Sequence, residues 1–165
     1  MAIRSYRDLQ VYQLSFRLAV EVDRVSKRLP PHEMYEEGRQ LRRSAKSIPA
    51  NIAEGFGRRR YKGEYVRFII YALASCDETQ VHLDILHATG SLPHAEYEYL
   101  SKEYDHLGRM LNNLLQRIIA GHREPYRTAS IVRELYTPYE YVLIDDANEQ
   151  QATSNKQQAT SNERL

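Results

Sequence analysis

Apolar residues recur three or four positions apart in four successive stretches of the chain, which is the spacing of one face of an α-helix. The stretches cover residues 11–29, 34–56, 62–89 and 91–118. Strand-like alternation competes with this pattern only near residue 141. Because short connections force neighbouring helices to run antiparallel, the pattern predicts an all-α, antiparallel up-down four-helix bundle.

The predicted helix ends carry their own signals. Asp8 is placed to cap the first helix, and the proline pair at 30–31 is expected to end it. Gly90 is expected to stop the third helix. Ser91 and Pro93 then form a cap-and-first-turn signal for the fourth helix. These signals support four separate helices.

Two of the apolar stripes differ in width. The fourth is narrow and passes through Leu111, Leu114 and Ile118. The first half of the third helix, VRFIIYALASC, is apolar over most of its circumference. A helix has that composition when it is covered on more than one side, so the third helix predicts an additional contact, such as self-association.

The second helix contains a proline in the middle of its stripe. Apolar positions at 41, 45, 48, 52 and 56 continue through Pro49, although an interior proline removes one backbone hydrogen bond at a cost of about 3 kcal/mol. The unbroken stripe favours one kinked helix, with Ser44 and Ser47 near the freed carbonyl. The alternative is that Pro49 separates two shorter helices. Gly55 and Gly57 supply conformational freedom at the helix end.

The chain of 165 residues divides into three parts. Residues 1–121 form the predicted bundle, and residues 122–146 form a C-terminal extension with one candidate short helix. Residues 147–165 contain QQATSNK followed by QQATSNE, a polar repeat that predicts a disordered tail. The single Cys76 and the lack of an apolar run long enough to span a membrane predict a soluble, cytoplasmic protein without a membrane partner.

The net charge of +1 hides an asymmetry. Residues 1–67 hold 15 Lys/Arg against 8 Asp/Glu, whereas residues 68–165 hold 8 against 14. Arginine can grip a phosphate with two hydrogen bonds, so the basic side chains between residues 39 and 67 are candidates for binding RNA or DNA. They are Arg39, Arg42, Arg43, Lys46, Arg58, Arg59, Arg60, Lys62 and Arg67.

Two neighbouring features bear on this hypothesis. Tyr61 and Tyr65 lie among the basic residues and could stack on unpaired bases, although tyrosines in such positions more often belong to a core or an interface. The alternative for the basic residues is a solvated helix face on which they pair with nearby carboxylates. Those carboxylates are Glu36, Glu37, Glu54 and Glu64.

Three segments, IRSYRDLQVYQ, QLRRSAKSIPANIAEGFGR and EYVRFIIYALAS, resemble the four-helix-bundle family named for intervening sequences in bacterial 23S ribosomal RNA genes. The similarity covers about residues 3–119, and residues 122–165 depart from the family pattern. It implies an antiparallel bundle that assembles as a homopentamer. It also implies a distant relation to retroelement accessory proteins, which bind nucleic acid and a reverse transcriptase. The motif residues are Pro49, Asn51, Glu54, Gly55 and Gly57.

A structural role is expected for the polar residues of the motif. Asn51 and Glu54 could join Arg42 in a polar network inside the bundle or between subunits, since the small Ala50 and Ala53 allow close helix approach. A network of that kind fixes the register of the packed helices.

Catalytic and metal sites receive little support. Glu103 with His106, and Asp84 with His87, have the spacing of metal ligands on helices, but the first two helices offer no matching inward carboxylate, so no metal or cofactor is expected. Cys76 lies in an apolar helix and is expected to be structural.

Three functions remain open. The first is a non-catalytic oligomeric scaffold that binds nucleic acid, and the second is a protein-interaction adaptor that does not. The third is a ribonuclease of the HEPN class, which Arg117 and His122 suggest by their spacing. The scaffold is preferred, with no catalytic residue assigned.

Overall fold

The computed structural model describes residues 4–121 of the chain. The described part contains a short 3-10 turn and five α-helices, and four of these helices are long. The helices are α1 (Gln10–Ser26), α2 (Pro31–Tyr35), α3 (Glu37–Gly57), α4 (Lys62–Ala88) and α5 (His94–Ala120). The predicted extension at 122–146 and the predicted tail at 147–165 lie outside the described residues.

The long helices form the antiparallel up-down bundle that the periodicity predicts. α3 packs against α1 and α4, and α5 packs against the same two helices, so α1 and α4 occupy opposite corners. The core is made of side chains with less than 2% exposure from all four helices. Among them are Leu18, Leu41, Ile48, Ile52, Ile69, Leu83, Leu86, Leu100, Tyr104, Leu107 and Leu111. No helix within residues 4–121 is both long and apolar enough to cross a membrane.

The start of the bundle differs from the prediction. Asp8 does not cap α1; its carboxylate accepts hydrogen bonds from the backbone N–H groups of Arg4 and Ser5, at 2.9 and 2.8 Å. This closes a 3-10 turn, Tyr6–Asp8, with Ser5 at its N-cap. Ser5 Oγ in turn accepts from the Arg7 N–H at 3.3 Å, so Ser5 and Asp8 form a capping box at this turn.

The region after α1 also differs. α1 ends at Ser26, before the proline pair, and Pro31 begins the separate short helix α2. Glu36, with φ −99° and ψ −93°, interrupts the helical path between α2 and α3. The second predicted helix is therefore two helices in the structure, and α3 begins three residues later than expected, at Glu37.

α3 continues through Pro49 without a break, as one helix of 21 residues. Pro49 itself is buried. The interpretation as two helices divided at Pro49 is therefore wrong. Burial of the apolar stripe from Leu41 to Phe56 outweighs the missing backbone hydrogen bond.

The α4–α5 connection is closed by Gly90. Its φ of +73° lies in the left-handed region, and the backbone N–H groups of Ser91 and Leu92 both donate to the Leu86 carbonyl. Pro93 is the N-cap of α5, and Ser91 makes no side-chain cap there. The tight connection brings the last turn of α4 next to the first turn of α5.

Candidate functional site

The nine candidate basic residues do not form one cluster. α3 rises about 1.5 Å per residue, so Arg39 near its start and Arg58 just beyond its end are about 28 Å apart along the axis. Arg39 and Arg43 share one exposed side of α3, whereas Arg60 lies in the connection to α4. The basic segment is thus an extended strip with groups at its two ends.

Some members of the strip are neutralised by neighbouring carboxylates. Arg58 pairs with Glu54 at 2.7 Å and with Glu64 at 3.2 Å, and Arg67 pairs with the same Glu64 at 2.9 Å. The solvated, paired face that the sequence left open as an alternative describes these arginines.

Two other members point toward the bundle. The Arg42 guanidinium donates to Ser26 Oγ at 3.1 Å and to the Met34 carbonyl at 3.2 Å, which ties α3 to α1 and α2. Lys62 Nζ donates to the Ile119 carbonyl at 2.8 Å and so connects the start of α4 to the end of α5. Both side chains have structural partners.

Lys46 belongs to a charged link between α1 and α3. Its Nζ lies 3.1 Å from Asp23 Oδ1, and Lys27 Nζ lies 2.6 Å from Asp23 Oδ2. The hydrogen bonds from Lys27 and Lys46 lower the pKa of the Asp23 carboxyl from 3.8 to about 2. Asp23 therefore stays ionised across the physiological range.

The remaining cations face solvent. Arg59 lies over the Phe56 ring, 4.1 Å from its centroid, and donates to the Phe56 carbonyl at 2.9 Å. Arg39, Arg43 and Arg60 are exposed and have no salt bridge to any residue between 4 and 121. The guanidinium groups of these three arginines are therefore the most available to bind a phosphate.

The two tyrosines in the strip have different environments. Tyr61 is 72% exposed, whereas Tyr65 is half-buried, and burial raises the pKa of its phenol. Tyr65 packs on Gly55, where an added Cβ would lie 3.2 Å from the Tyr65 ring. Tyr61 alone has a face open for stacking on a base.

The polar residues of the motif do not form the network that the sequence suggested. Glu54 is half exposed and pairs with Arg58. Asn51 Nδ2 instead donates to Ser47 Oγ at 3.0 Å, and Ser75 on α4 donates to the same oxygen at 3.0 Å. Arg42 lies nine residues before Asn51, on the opposite side of α3, and is bonded to Ser26 and Met34 instead.

Hydroxyl groups continue this link along the α3–α4 contact. Thr79 Oγ1 lies 3.0 Å from Ser44 Oγ, and Ser44 donates to the Leu41 carbonyl at 3.1 Å. Ser44, Ser75 and Thr79 are buried, so their hydrogen bonds are made in a medium of low polarity. These hydroxyl groups link α3 to α4, and Asn51 is the residue of the motif that joins them. The signal for this link in the sequence is the set of small hydroxyl residues on the two helices.

An apolar face lies on the outside of α1. Phe16 is 53% exposed, and its ring stacks on Tyr12 with centroids 6.1 Å apart. Together with Val20 it borders a groove of about 420 Å³ that is floored by Pro49 of α3. The sequence did not predict this face, because α1 has an ordinary amphipathic pattern.

A second apolar face lies on α4, at the opposite corner of the bundle. Val81 is 54% exposed, and Tyr71 and Ile85 are also exposed on the same side of the helix. α4 already contacts α3 and α5 through its other sides. The prediction of an additional contact rested on VRFIIYALASC, but most of that stretch is buried within the single chain, and Val81 and Ile85 lie beyond it.

The two residue pairs with the spacing of metal ligands have other partners. Tyr97 donates to Asp84 at 2.9 Å, and Glu103 lies 3.8 Å from Arg17. Within residues 4–121 no group of three His, Cys, Asp or Glu side chains is arranged to hold a metal ion.

Cys76 is unsuited to nucleophilic chemistry. It is buried, its Sγ lies 3.4 Å from the Tyr104 carbonyl, and burial raises the pKa of its thiol to about 12.

Arg117 borders a groove of about 440 Å³ between the start of α1 and the end of α5. Its suggested partner His122 lies outside the described residues, so the ribonuclease hypothesis stays a prediction.

The protein therefore belongs to the all-α class. It is built on an antiparallel four-helix bundle, with a proline inside α3 and a basic strip along that helix. The chain belongs to the 23S rRNA-intervening sequence protein family, whose sequence model matches residues 7–113. This confirms the resemblance carried by the segment around Pro49.

A solved structure supports the fold. The chain is similar to a protein of unknown function from the S23 ribosomal protein family of Bacteroides thetaiotaomicron VPI-5482, with a TM-score of 0.60 and 23% sequence identity. The alignment covers 64% of this chain and 95% of that one. At this identity the likeness shows the fold alone. No curated protein matches the chain.

Proposed function

We propose that this protein is a non-catalytic scaffold that self-associates through its two apolar faces and binds the phosphate backbone of nucleic acid through the basic strip. The proposal rests mainly on the two apolar faces, one on α1 and one on α4, that the single chain leaves exposed. One contains Phe16 and Val20 beside Pro49, and the other contains Val81 and Ile85. Exposed apolar patches of this kind mark protein interaction sites.

The position of the faces favours a closed ring. They differ from one another and lie on helices at opposite corners of the bundle. A contact between two different surfaces is head-to-tail, and it closes into a ring when the rotation between neighbours allows. Five copies is the number that the family resemblance implies.

Native mass spectrometry of the full chain tests self-association. We expect a pentamer at micromolar concentration, and we expect Val81→Glu to reduce it to monomer by placing a charge in the apolar contact. Asn112→Glu, which introduces the same charged side chain on an exposed side of α5, should leave the pentamer intact. A monomeric parent protein would refute the scaffold.

The nucleic-acid role rests on the solvent-facing cations. Arg39 and Arg43 project from one end of α3, and Arg60 lies with the exposed ring of Tyr61 at the other end. Arginine forks suit phosphates, and an exposed aromatic ring suits an unpaired base. Repetition around a ring increases the apparent affinity of such weak contacts.

Anisotropy titrations with single-stranded RNA and duplex DNA at several salt concentrations test this role. Each phosphate contact contributes about 0.7 to the slope of log K against log salt for a single strand and about 0.9 for a duplex. Arg39→Ala/Arg43→Ala should lower that slope by about 1.5 per chain. The charge-matched control Arg58→Ala/Arg67→Ala should change it less, because both arginines are already paired with carboxylates.

Two outcomes would contradict the nucleic-acid role. An equal loss in both double variants would mean that net charge, and not the solvent-facing pair, controls the affinity. Absence of binding by a pentameric parent would favour the protein-interaction adaptor.

RNA that remains intact on incubation with the full chain supports the non-catalytic assignment, whereas cleavage that is abolished by His122→Ala would favour the ribonuclease.

A further inference from the structure

Two histidines meet where α4 ends and α5 begins. His87 occupies the last turn of α4, and His94 is the first residue of α5. The connection closed by Gly90 brings His94 Nδ1 to 3.2 Å from His87 Nε2. Neither ring belongs to the core, since His94 is exposed and His87 is partly exposed.

The separation of these nitrogens fits two ligands of one metal ion. Two nitrogens that each lie about 2.0–2.1 Å from a metal are about 2.9 Å apart at a right angle and about 3.3 Å apart at the tetrahedral angle. The observed 3.2 Å lies inside that interval. The ring centroids are 5.3 Å apart, which is also the separation of about 5.3 Å that two imidazoles on one tetrahedral ion have.

The His87 ring is held in position by its neighbours. It stacks on Tyr97, with centroids 4.0 Å apart and planes inclined by only 9°. The Tyr97 hydroxyl in turn donates to Asp84 Oδ1 at 2.9 Å. Stacking covers one face of the imidazole and leaves the edge that carries Nε2 directed at His94. A ligand whose orientation is fixed in this way loses less entropy when it binds a metal.

We propose that His87 and His94 form a two-histidine site for a divalent transition-metal ion, distinct from the basic strip and from both apolar faces. Imidazole nitrogen suits Cu²⁺, Ni²⁺ and Zn²⁺, and Cu²⁺ binds most tightly of the three at a nitrogen site. The ion replaces the proton shared between the two rings and ties α4 to α5. The chain supplies two ligands, so the other coordination positions are open to water or to an outside ligand.

Copper titration of the full, untagged chain tests the site. We expect one Cu²⁺ per chain to bind with a d–d absorption band typical of nitrogen ligation. His94→Gln and His87→Gln should each weaken this binding at least tenfold. His106→Gln is the matched control, because His106 is exposed on α5 away from the pair and should leave the affinity unchanged.

A zinc titration followed by NMR gives a second readout. The imidazole ring signals of His87 and His94 should shift together on addition of ZnCl₂, while those of His82 and His106 stay in place. Circular dichroism of each variant establishes that it is folded, which is expected since His94 is exposed. Equal copper affinity in the parent, His87→Gln and His94→Gln, or a shift of only one of the two ring signals, would overturn the proposal.

Discussion

Two glycines near the end of α3 have different surroundings. A Cβ added to Gly55 would lie 2.9 Å from Phe68 Cβ on α4, closer than carbon atoms pack, whereas one added to Gly57 would meet nothing within 4 Å. Both lie within the bounds of α3, and the described chain has a positive φ only at Gly90. Gly55 therefore serves close helix packing, and the freedom of a helix end that the sequence suggested does not explain it.

Alanine substitutions at these two positions should have opposite effects. Gly55→Ala should destabilise the protein by about 1–3 kcal/mol, because α3 and α4 must move apart. Gly57→Ala should be neutral or stabilise by up to about 1 kcal/mol, because alanine has the better helix propensity. Urea unfolding of both variants checks this, and equal losses would show that Gly57 is also constrained.

Tyr104 buries a hydroxyl group with no hydrogen-bond partner among residues 4–121. Its side chain is fully buried in the core, and burial raises the pKa of the phenol. A buried polar group without a partner costs about 1–3 kcal/mol. Tyr104→Phe should therefore leave the free energy of unfolding unchanged or raise it by up to about 1 kcal/mol.

Leu107→Ala, in the same core, is the reference for Tyr104→Phe. It should cost about 2–5 kcal/mol through the cavity it creates. Thermal unfolding monitored by circular dichroism compares the two. A loss above about 1 kcal/mol in Tyr104→Phe would show that the hydroxyl is stabilising.

At the residue scale, sequence spacing predicts burial better than it predicts pairing. The fourth stripe passes through Leu111 and Ile118 as predicted, but Leu115 is buried and Leu114 is only partly so. The two positions differ by one residue of helix rotation, which spacing alone does not resolve. The Lys46–Asp23 pair joins residues 23 positions apart, and nothing local in the sequence indicates that contact.

At the scale of helices, the pair between α1 and α3 makes stability depend on pH. The folded pKa of Asp23 is about 2, below its ordinary value of 3.8, so its ionised form stabilises the fold at neutral pH. That stability is present above about pH 5 and is lost as the pH falls toward 2. Because the two lysines are largely exposed, solvent screening limits the contribution to under about 1 kcal/mol.

The variant Asp23→Asn should flatten this part of the stability profile. The difference in unfolding free energy between parent and variant should shrink as the pH is lowered from 5 to 2, and 1 M NaCl at pH 7 should also reduce it. Urea titrations at several pH values measure the difference. A difference that stays constant with pH would show that the carboxylate does not hold its two lysines in solution.

The helices themselves were mostly predictable, and the exceptions have local causes. Continuous apolar spacing correctly carried α3 through Pro49, because core burial outweighs one lost hydrogen bond. The break at Glu36 could not be predicted in the same way. α2 has no buried residue, so the apolar spacing carries no information about where α2 ends and α3 begins. The 3-10 turn was missed because Asp8 was assigned as the cap of α1, whereas it is the N3 residue of a capping box that begins at Ser5.

At the scale of the whole molecule, the sequence indicated self-association without locating the two uncovered surfaces. The apolar composition of VRFIIYALASC favoured an additional contact for α4, but most of that stretch is buried, and the exposed Val81 and Ile85 lie beyond it. The groove beside Phe16 is lined by residues of both α1 and α3, so it depends on packing between helices that spacing within one helix does not reveal. The proposed ring requires both surfaces, so they can be tested against each other.

A mixing experiment distinguishes a head-to-tail ring from a symmetric pair. Phe16→Glu blocks the α1 face and leaves the α4 face intact, and Val81→Glu does the reverse. Each variant alone should be monomeric, because one of the two complementary surfaces is missing. When the two are mixed, the intact α1 face of one chain can still meet the intact α4 face of the other.

The mixture should therefore form a one-to-one heterodimer and nothing larger, since its two outer faces both carry a glutamate. Labelling one variant with ¹⁵N lets native mass spectrometry separate this species from either homodimer. The dimer should require higher protein concentration than the parent assembly, because a single contact lacks the mutual support of a closed ring. If each face instead paired with its own copy, each variant by itself would keep the dimer formed by its intact face, and mixing would create no new species.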